Sequence, residues 1–367
     1  MRDPALPSPQ NIAQRILDGE LAALDMATMV RWLEGEVGTD ELMEAANRVR
    51  RHFFGKRVHL CSIVNAKQGG CPEDCGFCSQ SKHVETHVDP QKFLPTAEVL
   101  AASKTAKSQG GTALGLVTAT RGLKKGTVAM QKVVDGIRAV RDAGHTEAHG
   151  SFGFVEVDAL EELVEAGLTE LNHNLETGRS YFEKIVTTHT YDDRIATILR
   201  AKALGLRTCV GGIMGMGEEP LHRAELAIQL RELDVDEIPL NFLVSIEGTR
   251  LGPIDPIEPI EMLRIIACYR LCLPNKNIFI AGGRMHLKQT QPMMFFAGAS
   301  GMMIGDLLTT PNRSVQDDLD MIFQLGLEPE VCGGSLPDGS DIEKARRASQ
   351  PPRGHAPPRT RLPVVPA

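Results

Sequence analysis

Residues 69–81, GGCPEDCGFCSQS, place Cys71, Cys75 and Cys78 within one short polar loop. Thiols at the spacing C-x3-C-x2-C point to metal or redox chemistry, because apolar packing does not ask for that spacing. Three readings compete. Structural zinc normally takes four protein ligands, usually as two separated pairs, and no second pair follows. A disulfide with a spare thiol belongs to an oxidising compartment. An iron–sulfur cluster on three thiolates leaves one iron open to another ligand, which accounts for the missing fourth cysteine.

The rest of the composition narrows the setting. The chain has 367 residues, is 42% hydrophobic and carries a net charge of −7. That length suits one large domain or two ordinary ones. No apolar run approaches the roughly 18 residues of a membrane span. The start, MRDPALPSPQ, lacks the charged and apolar regions of a secretory signal. The acidic balance argues against a general nucleic-acid binder. Outside the loop the cysteines are scattered as Cys61, Cys209, Cys268, Cys272 and Cys332. This is not a disulfide framework, and the expected setting is a reducing cytoplasm.

The loop must be positioned by its neighbours. Residues 10–54 read as amphipathic helix, with Ile12, Ile16, Leu17, Leu21 and Leu24 as apolar positions, and 1–54 is expected to be an N-terminal helical extension. From 58 onward eight short apolar runs alternate with helical stretches. The runs are 58–66, 112–120, 146–154, 170–176, 207–215, 237–245, 277–284 and 301–306. The helical stretches include 96–109, 128–142, 192–204, 219–232, 258–272 and 314–325. This order predicts an α/β fold, a (β/α)8 TIM-type barrel over 55–331, with an open doubly wound sheet as the rival. In a barrel the chemistry gathers at the C-terminal ends of the strands, so the cysteine loop, NHNLE, GGIMGMGE, PLN and AGGR share one rim. Residues 332–367, rich in Gly, Pro, Ser and Arg, are expected to be a disordered C-terminal tail.

With its aromatic at Phe77, the loop resembles the C-x3-C-x-(aromatic)-C signature of radical S-adenosylmethionine enzymes. The resemblance implies a [4Fe-4S] cluster on Cys71, Cys75 and Cys78 whose open iron chelates S-adenosyl-L-methionine for reductive cleavage to a 5′-deoxyadenosyl radical. Phe77 suits stacking against the adenine. Over roughly residues 50–330 the chain is further similar to the biotin synthase family. The similarity rests on NAKQGGCPEDCGFCSQS, LNHNLETGRSYFEKIVTTHTYDDR, CVGGIMGMGE, PLNFLVSIEGTRL, AGGRMHLKQTQ and DLLTTPN. It implies a transferase that inserts sulfur into dethiobiotin in biotin biosynthesis. It places Asn174 and Glu176 near the ribose and Arg194 near the S-adenosylmethionine carboxylate. Asn172 and Asn241 fall near the cyclic urea of dethiobiotin, to which an amide offers both donor and acceptor. A flavodoxin- or ferredoxin-type electron donor and a homodimer are the partners it implies, with no nucleic acid and no membrane.

The family also implies a second cluster, [2Fe-2S], held inside the barrel by three cysteines and an arginine. The matching positions here are Gly115, His149 (or Gly150 if the register slips), Cys209 and Phe279, so only one thiol survives. Cys209, with His149 or Cys61, is the most economical substitute ligand set. Each also has a plainer reading: Cys61 as a small buried hydrophobe and His149 as a hydrogen-bonded core residue. Cys268 and Cys272, four apart on one helix face, read as packing, and Cys332 as incidental. His173 and His189 read as orienting groups. The missing ligands favour an alternative, a radical relative that inserts no sulfur, such as a mutase or cofactor-maturation enzyme; Asn174, Glu176 and Arg194 count against a further reading as a non-catalytic iron–sulfur protein.

Overall fold

The structure is a computed structural model that describes residues 6–305, 308, 313–330 and 340–349. Three helices open the chain: α1 (Pro9–Leu17), α2 (Met26–Glu34) and α3 (Thr39–Phe54). Their ends follow local chemistry. Ser8 Oγ and Asp25 Oδ1 accept from the N–H groups of Asn11 and Thr28 at 3.2 and 2.9 Å, and Gly35, at φ 100°, closes α2 in the left-handed region.

The barrel follows as β1 (Arg57–Lys67), α4 (Thr96–Ser108), β2 (Ala113–Thr118), α5 (Val128–Ala143), β3 (Glu147–Ser151), α6 (Val157–Ala166) and β4 (Leu168–Asn172). Next come α7 (Phe182–Ile185), α8 (Tyr191–Ala203), β5 (Arg207–Cys209), β6 (Gly212–Met214), α9 (Pro220–Glu232) and β7 (Glu237–Phe242). The last turn of the barrel holds α10 (Pro259–Cys272), β8 (Asn277–Ile280), α11 (Met293–Phe296), β9 (Gly301–Met303) and α12 (Val315–Gln324). All pairings are parallel, and β1 pairs with both β2 and β9, which closes the sheet. With β5 and β6 forming one interrupted stave, the barrel has the eight staves expected. The open-sheet rival is thereby excluded. A short β10 (Glu328–Pro329) pairs with the N-terminal end of β1.

Two apolar clusters fill the layer between staves and helices. One joins α1–α3 to α10 and the second half of the barrel, so the N-terminal extension is packed onto the barrel. Cys268 and Cys272 are fully buried in it, as packing residues. The other lies under α4, α5 and α6. No helix among the described residues is long and apolar enough to cross a membrane.

The structure corrects three boundaries. The fourth strand runs earlier than 170–176 and ends at Asn172, and Glu176, at φ 72°, turns the chain further on. The fifth run breaks between Cys209 and Gly212. Within the segment expected to be disordered, Asp341–Ser349 forms helix α13, packed on α12 with Ile342 and Ala345 buried. Its apolar positions are sparse, and only packing stabilises so short a helix. Most of the DLLTTPN stretch, Cys332 and the residues after 349 lie outside the described residues.

Candidate active site at the barrel rim and lumen

The cysteine loop leaves the C-terminal end of β1 through Gly69 and Gly70, both in the left-handed region at φ 65° and 72°. A Cβ on Gly69 would stand 2.9 Å from the Pro90 backbone, so the close approach also demands glycine. The loop closes on itself: Cys71 N donates to Gln80 O at 2.9 Å, Lys82 N to Cys71 O at 2.8 Å and Cys78 N to Cys75 O at 3.0 Å. Its acidic residues dock it on the segment before α8. Asp74 accepts from Thr187 N and Oγ1 at 3.0 and 2.5 Å. Glu73 accepts from Thr188 Oγ1 at 2.5 Å and pairs with Arg121 Nη1 at 2.5 Å.

Burial pushes the Cys75 and Cys78 thiols up to about 12 and about 11, and that of Cys71 in the same direction. Three crowded, partly buried thiols are poor anions by themselves and need a cationic centre to ionise them. The donor set and its electrostatics therefore fit a cluster held by three thiolates. Cys71 and Cys75 open on a cavity of about 270 Å³. Cys78 and Phe77 open on an adjoining one of about 250 Å³, walled by Ile213, Leu243, Val244 and Ile246. The two share Ile63, Asn241, Ala281 and Met303 and form one cleft at the rim.

The other wall comes from β4, β7 and α8. Arg194, on α8, donates through Nη1 to Asn174 O at 2.7 Å and through Nε to His189 Nε2 at 3.0 Å, with Nη2 3.9 Å from Cys75 Sγ. Glu176 Oε1 lies 3.5 Å from Arg194 Nη1, yet burial outweighs that cation and raises its carboxyl above the usual range. Its Oε2 is buried with no hydrogen bond. Asn174 Oδ1 accepts from Gly211 N at 3.1 Å. Asn172 ends β4 with its Oδ1 buried and unpartnered. Asn241 is held on both sides, donating to Gly212 O at 3.2 Å and accepting from Gly282 N at 2.8 Å. Two of its four hydrogen-bonding positions thus remain for a ligand. His173 is buried edge-on against Phe154, and burial followed by the charge of Arg194 holds its pKa well below the ordinary value.

The glycine-rich stretch between β5 and α9 is shaped for backbone contact. A Cβ on Gly211 would fall 1.9 Å from Pro239 O and one on Gly212 2.4 Å from Glu176 O. Gly215 and Gly217 take φ 94° and 93°, and Glu218 gathers Gly215 N, Met216 N and Arg223 Nε at 2.8, 2.7 and 2.8 Å.

Below the rim, Gly115, His149, Cys209 and Phe279 sit on β2, β3, β5 and β8, with Gly115 and His149 in direct register. Cys61, Cys209, Phe279 and Met303 form one small buried cluster. Glycine and phenylalanine offer iron no ligand, so three cysteines and an arginine do not converge here and that [2Fe-2S] site does not fit. Arg284, the nearby arginine, turns away and pairs with Asp318 at 2.6 Å in the core. His149, the other candidate ligand, is enclosed by charged neighbours, with Arg207 Nη2 3.0 Å from its Nε2. Its Nδ1 is 2.9 Å from Glu170 Oε1 and its Nε2 3.3 Å from Glu147 Oε2. Burial alone would lower its pKa, but Glu170 and Glu147 push it up to about 10. Cys209 is fully buried and its thiol is raised by burial, then by Glu170 and Glu237.

Two groups of residues here were not singled out from the sequence. Glu73 and Arg121, which tie the cysteine loop to His189, carry no motif of their own. Glu147, Glu170, Arg207 and Glu237 make a charged floor at the N-terminal end of the lumen. Their signal was available: a charged residue at or near the start of each of these strands.

Known proteins resemble the chain over most of its length. Residues 66–230 match the family described as Radical SAM superfamily, and residues 239–328 the Biotin and Thiamin Synthesis associated domain. The chain is 43% identical over 327 residues to a biotin synthase of Geobacter sulfurreducens, spanning 89% of this chain and 99% of that one. It is 42% identical over 322 residues to a biotin synthase of Natronomonas pharaonis, 86% of each chain. Among solved structures, a methylornithine synthase superposes with a TM-score of 0.75 at 20% identity, over 87% of this chain and 97% of that one. An FeFe-hydrogenase maturase of Carboxydothermus hydrogenoformans gives 0.72 at 15%, over 89% and 80%. At these identities the structural likeness is one of fold.

Proposed function

The chain belongs to the biotin synthase family of radical S-adenosylmethionine enzymes, and on that premise we propose that its rim cleft converts dethiobiotin to biotin. One observation carries the assignment of residues: a single cleft has Cys71 and Cys75 on one side and Asn172, Asn174, Glu176, Arg194 and Asn241 on the other. Cys71, Cys75 and Cys78 would hold the [4Fe-4S] cluster. Bound there, the cluster would supply the chelating iron and the electron that split the sulfonium of S-adenosylmethionine into methionine and the 5′-deoxyadenosyl radical.

The protein's own part is binding and orientation. Arg194 presents a guanidinium beside Cys75, where a carboxylate would sit, and its position is set by His189 and the Asn174 carbonyl. Asn174 and Glu176 lie where a ribose would extend, and Phe77 with Ile213 and Leu243 offers an apolar slot for the adenine. Asn172 and the free positions of Asn241 line the same cleft and would meet the cyclic urea. The radical that the bound cofactor would supply takes up one hydrogen atom from a substrate carbon per S-adenosylmethionine cleaved, and the asparagines would hold that carbon within its reach. A flavodoxin- or ferredoxin-type donor and a homodimer complete this reading.

Gly115 and Phe279 favour a second reading, a radical enzyme of this family that stops at hydrogen abstraction. Anaerobic reconstitution with iron and sulfide, followed by incubation with dethiobiotin, S-adenosylmethionine and a reductant, separates the two. 5′-Deoxyadenosine together with biotin is expected. 5′-Deoxyadenosine without biotin would support the second reading. A Cys78→Ala variant that still forms 5′-deoxyadenosine at the parent rate would overturn the cluster assignment.

A further inference from the structure

The strand that feeds the cysteine loop ends on a charge that the rim assignment leaves unused. Against β2, β1 gains one residue near its end, since Asn65 pairs with Val117 and Lys67 with Thr118. A bulge of this kind at the rim of a barrel re-aims a side chain. Lys67 Nζ lies under the start of the loop, where it donates to Gly69 O and, at 3.1 Å, to Ala119 O. It stands 3.9 Å from the point that a Cβ on Gly70, the residue before Cys71, would occupy. Lys67 is partly buried and is not one of the described residues that wall the rim cleft, so it acts from behind the loop.

The charge of Lys67 is not cancelled. Two carbonyls fix the ammonium, and neither carries a net charge to oppose it. Burial lowers the Lys67 pKa and the charge on Cys71 opposes that shift, while among the described residues no carboxylate acts on it. Two other cations near the thiols have acidic partners: Arg121 Nη1 pairs with Glu73 at 2.5 Å, and Arg194 Nη1 stands 3.5 Å from Glu176. A cation held in a partly buried place attracts added negative charge more strongly than one in water, because the effective dielectric is lower. Local charge and hydrogen bonding are among the factors that set the potential of an iron–sulfur centre.

We propose that Lys67 is a positioning residue for the rim reaction, one that pins the entry of the cysteine loop and raises the reduction potential of the cluster held by Cys71, Cys75 and Cys78. One electron from an external reductant takes the [4Fe-4S]²⁺ core to [4Fe-4S]⁺, with no bond made or broken and no proton moved. The added negative charge appears beside the Lys67 ammonium, which favours the reduced state. The electron that splits S-adenosylmethionine can then come from a weaker reductant. This inference deepens the assignment of the loop thiols as cluster ligands and rests on it.

The test compares the full chain with Lys67→Gln, which keeps an N–H donor without the charge, and Lys67→Arg, which keeps the charge. Each is reconstituted anaerobically with iron and sulfide, its iron content measured and its fold checked by circular dichroism. A potentiometric titration with dithionite and mediators, without S-adenosylmethionine, is followed by the electron paramagnetic resonance signal of the reduced cluster. In Lys67→Gln the equilibrium constant for reduction should fall about tenfold, the equivalent of about 59 mV to more negative potential for one electron. Lys67→Arg should stay near the parent. A Lys67→Gln chain with the parent's iron content and the parent's potential would overturn the tuning role, as would Lys67→Arg shifted as far as Lys67→Gln. Loss of the cluster in both folded variants would make Lys67 a structural clamp alone and overturn it too. Lys67→Met takes the place of Lys67→Gln should that variant not fold, with the same outcomes deciding. A folded parent that takes up no [4Fe-4S] cluster would instead overturn the assignment of the loop thiols, and the role of Lys67 with it.

Discussion

His189 Nδ1 lies 2.5 Å from Glu73 Oε2, across 116 residues of chain, while its Nε2 accepts from Arg194 Nε at 3.0 Å. An arginine Nε can only donate, so the proton of the neutral ring sits on Nδ1 and is given to Glu73. One imidazole thereby couples the cysteine loop to the guanidinium proposed for the S-adenosylmethionine carboxylate. Burial first, then the charge of Arg194, lowers the His189 pKa, outweighing the carboxylate of Glu73.

His189→Ala is expected to weaken S-adenosylmethionine binding about 5- to 150-fold, the equivalent of about 1–3 kcal/mol for unpaired buried partners. His189→Gln, which keeps a donor and an acceptor, should recover part of the loss. The sign with pH follows from the lowered pKa. The unfolded chain takes up the proton more readily, so the stability from neutral His189 is complete above about 6.5 and is lost as the pH falls through the folded value. The parent Tm should drop more on acidification below about pH 6.5 than that of His189→Gln, measured side by side.

Asn172 and Asn241 should separate in their effects. Asn172 Oδ1 has no partner within the protein and its side chain meets only the Cys209 sulfur, so Asn172→Ala should change Tm little. Dethiobiotin affinity should fall about 5- to 150-fold. Asn241→Ala also breaks the contacts to Gly212 and Gly282 and should cost about 1–3 kcal/mol of stability. Calorimetry with each ligand and a parallel melt check both. An Asn172→Ala chain as destabilised as Asn241→Ala would make Asn172 structural.

Gly211→Ala places a methyl 1.9 Å from Pro239 O, where no flexible side chain can yield. The staves on either side would have to part, at a cost of about 3 kcal/mol or more. Urea unfolding should show this as a lower midpoint, with Arg194 and the rim residues otherwise intact in sequence.

Asp318→Ala leaves Arg284 buried, its carboxylate partner gone from 2.6 Å. A loss of about 3–5 kcal/mol is expected. Replacing both, as Arg284→Met with Asp318→Leu, should recover most of it, because a desolvated ion pair contributes little over apolar packing. The comparison of the two melts tests whether the pair is structural or serves the site.

The cysteine loop, the eight-stave barrel and the meeting of NHNLE, GGIMGMGE and PLN on one rim were legible in the sequence. Each depends on local pattern: thiol spacing, strand and helix periodicity, and glycine at tight turns. The identity of the residues at the expected ligand positions, Gly115 and Phe279 among them, was legible too. What only the tertiary structure decided is how side chains far apart in sequence combine. Glu147, Glu170 and Arg207 surround His149 because closing the barrel brings β3, β4 and β5 into register. Glu73, His189 and Arg194 became one chain of hydrogen bonds only when the loop docked before α8. Asn241 proved half occupied by its own backbone neighbours. Pattern along a chain reports which face a residue takes, whereas its charge state and hydrogen-bond capacity depend on neighbours that only the closed barrel supplies.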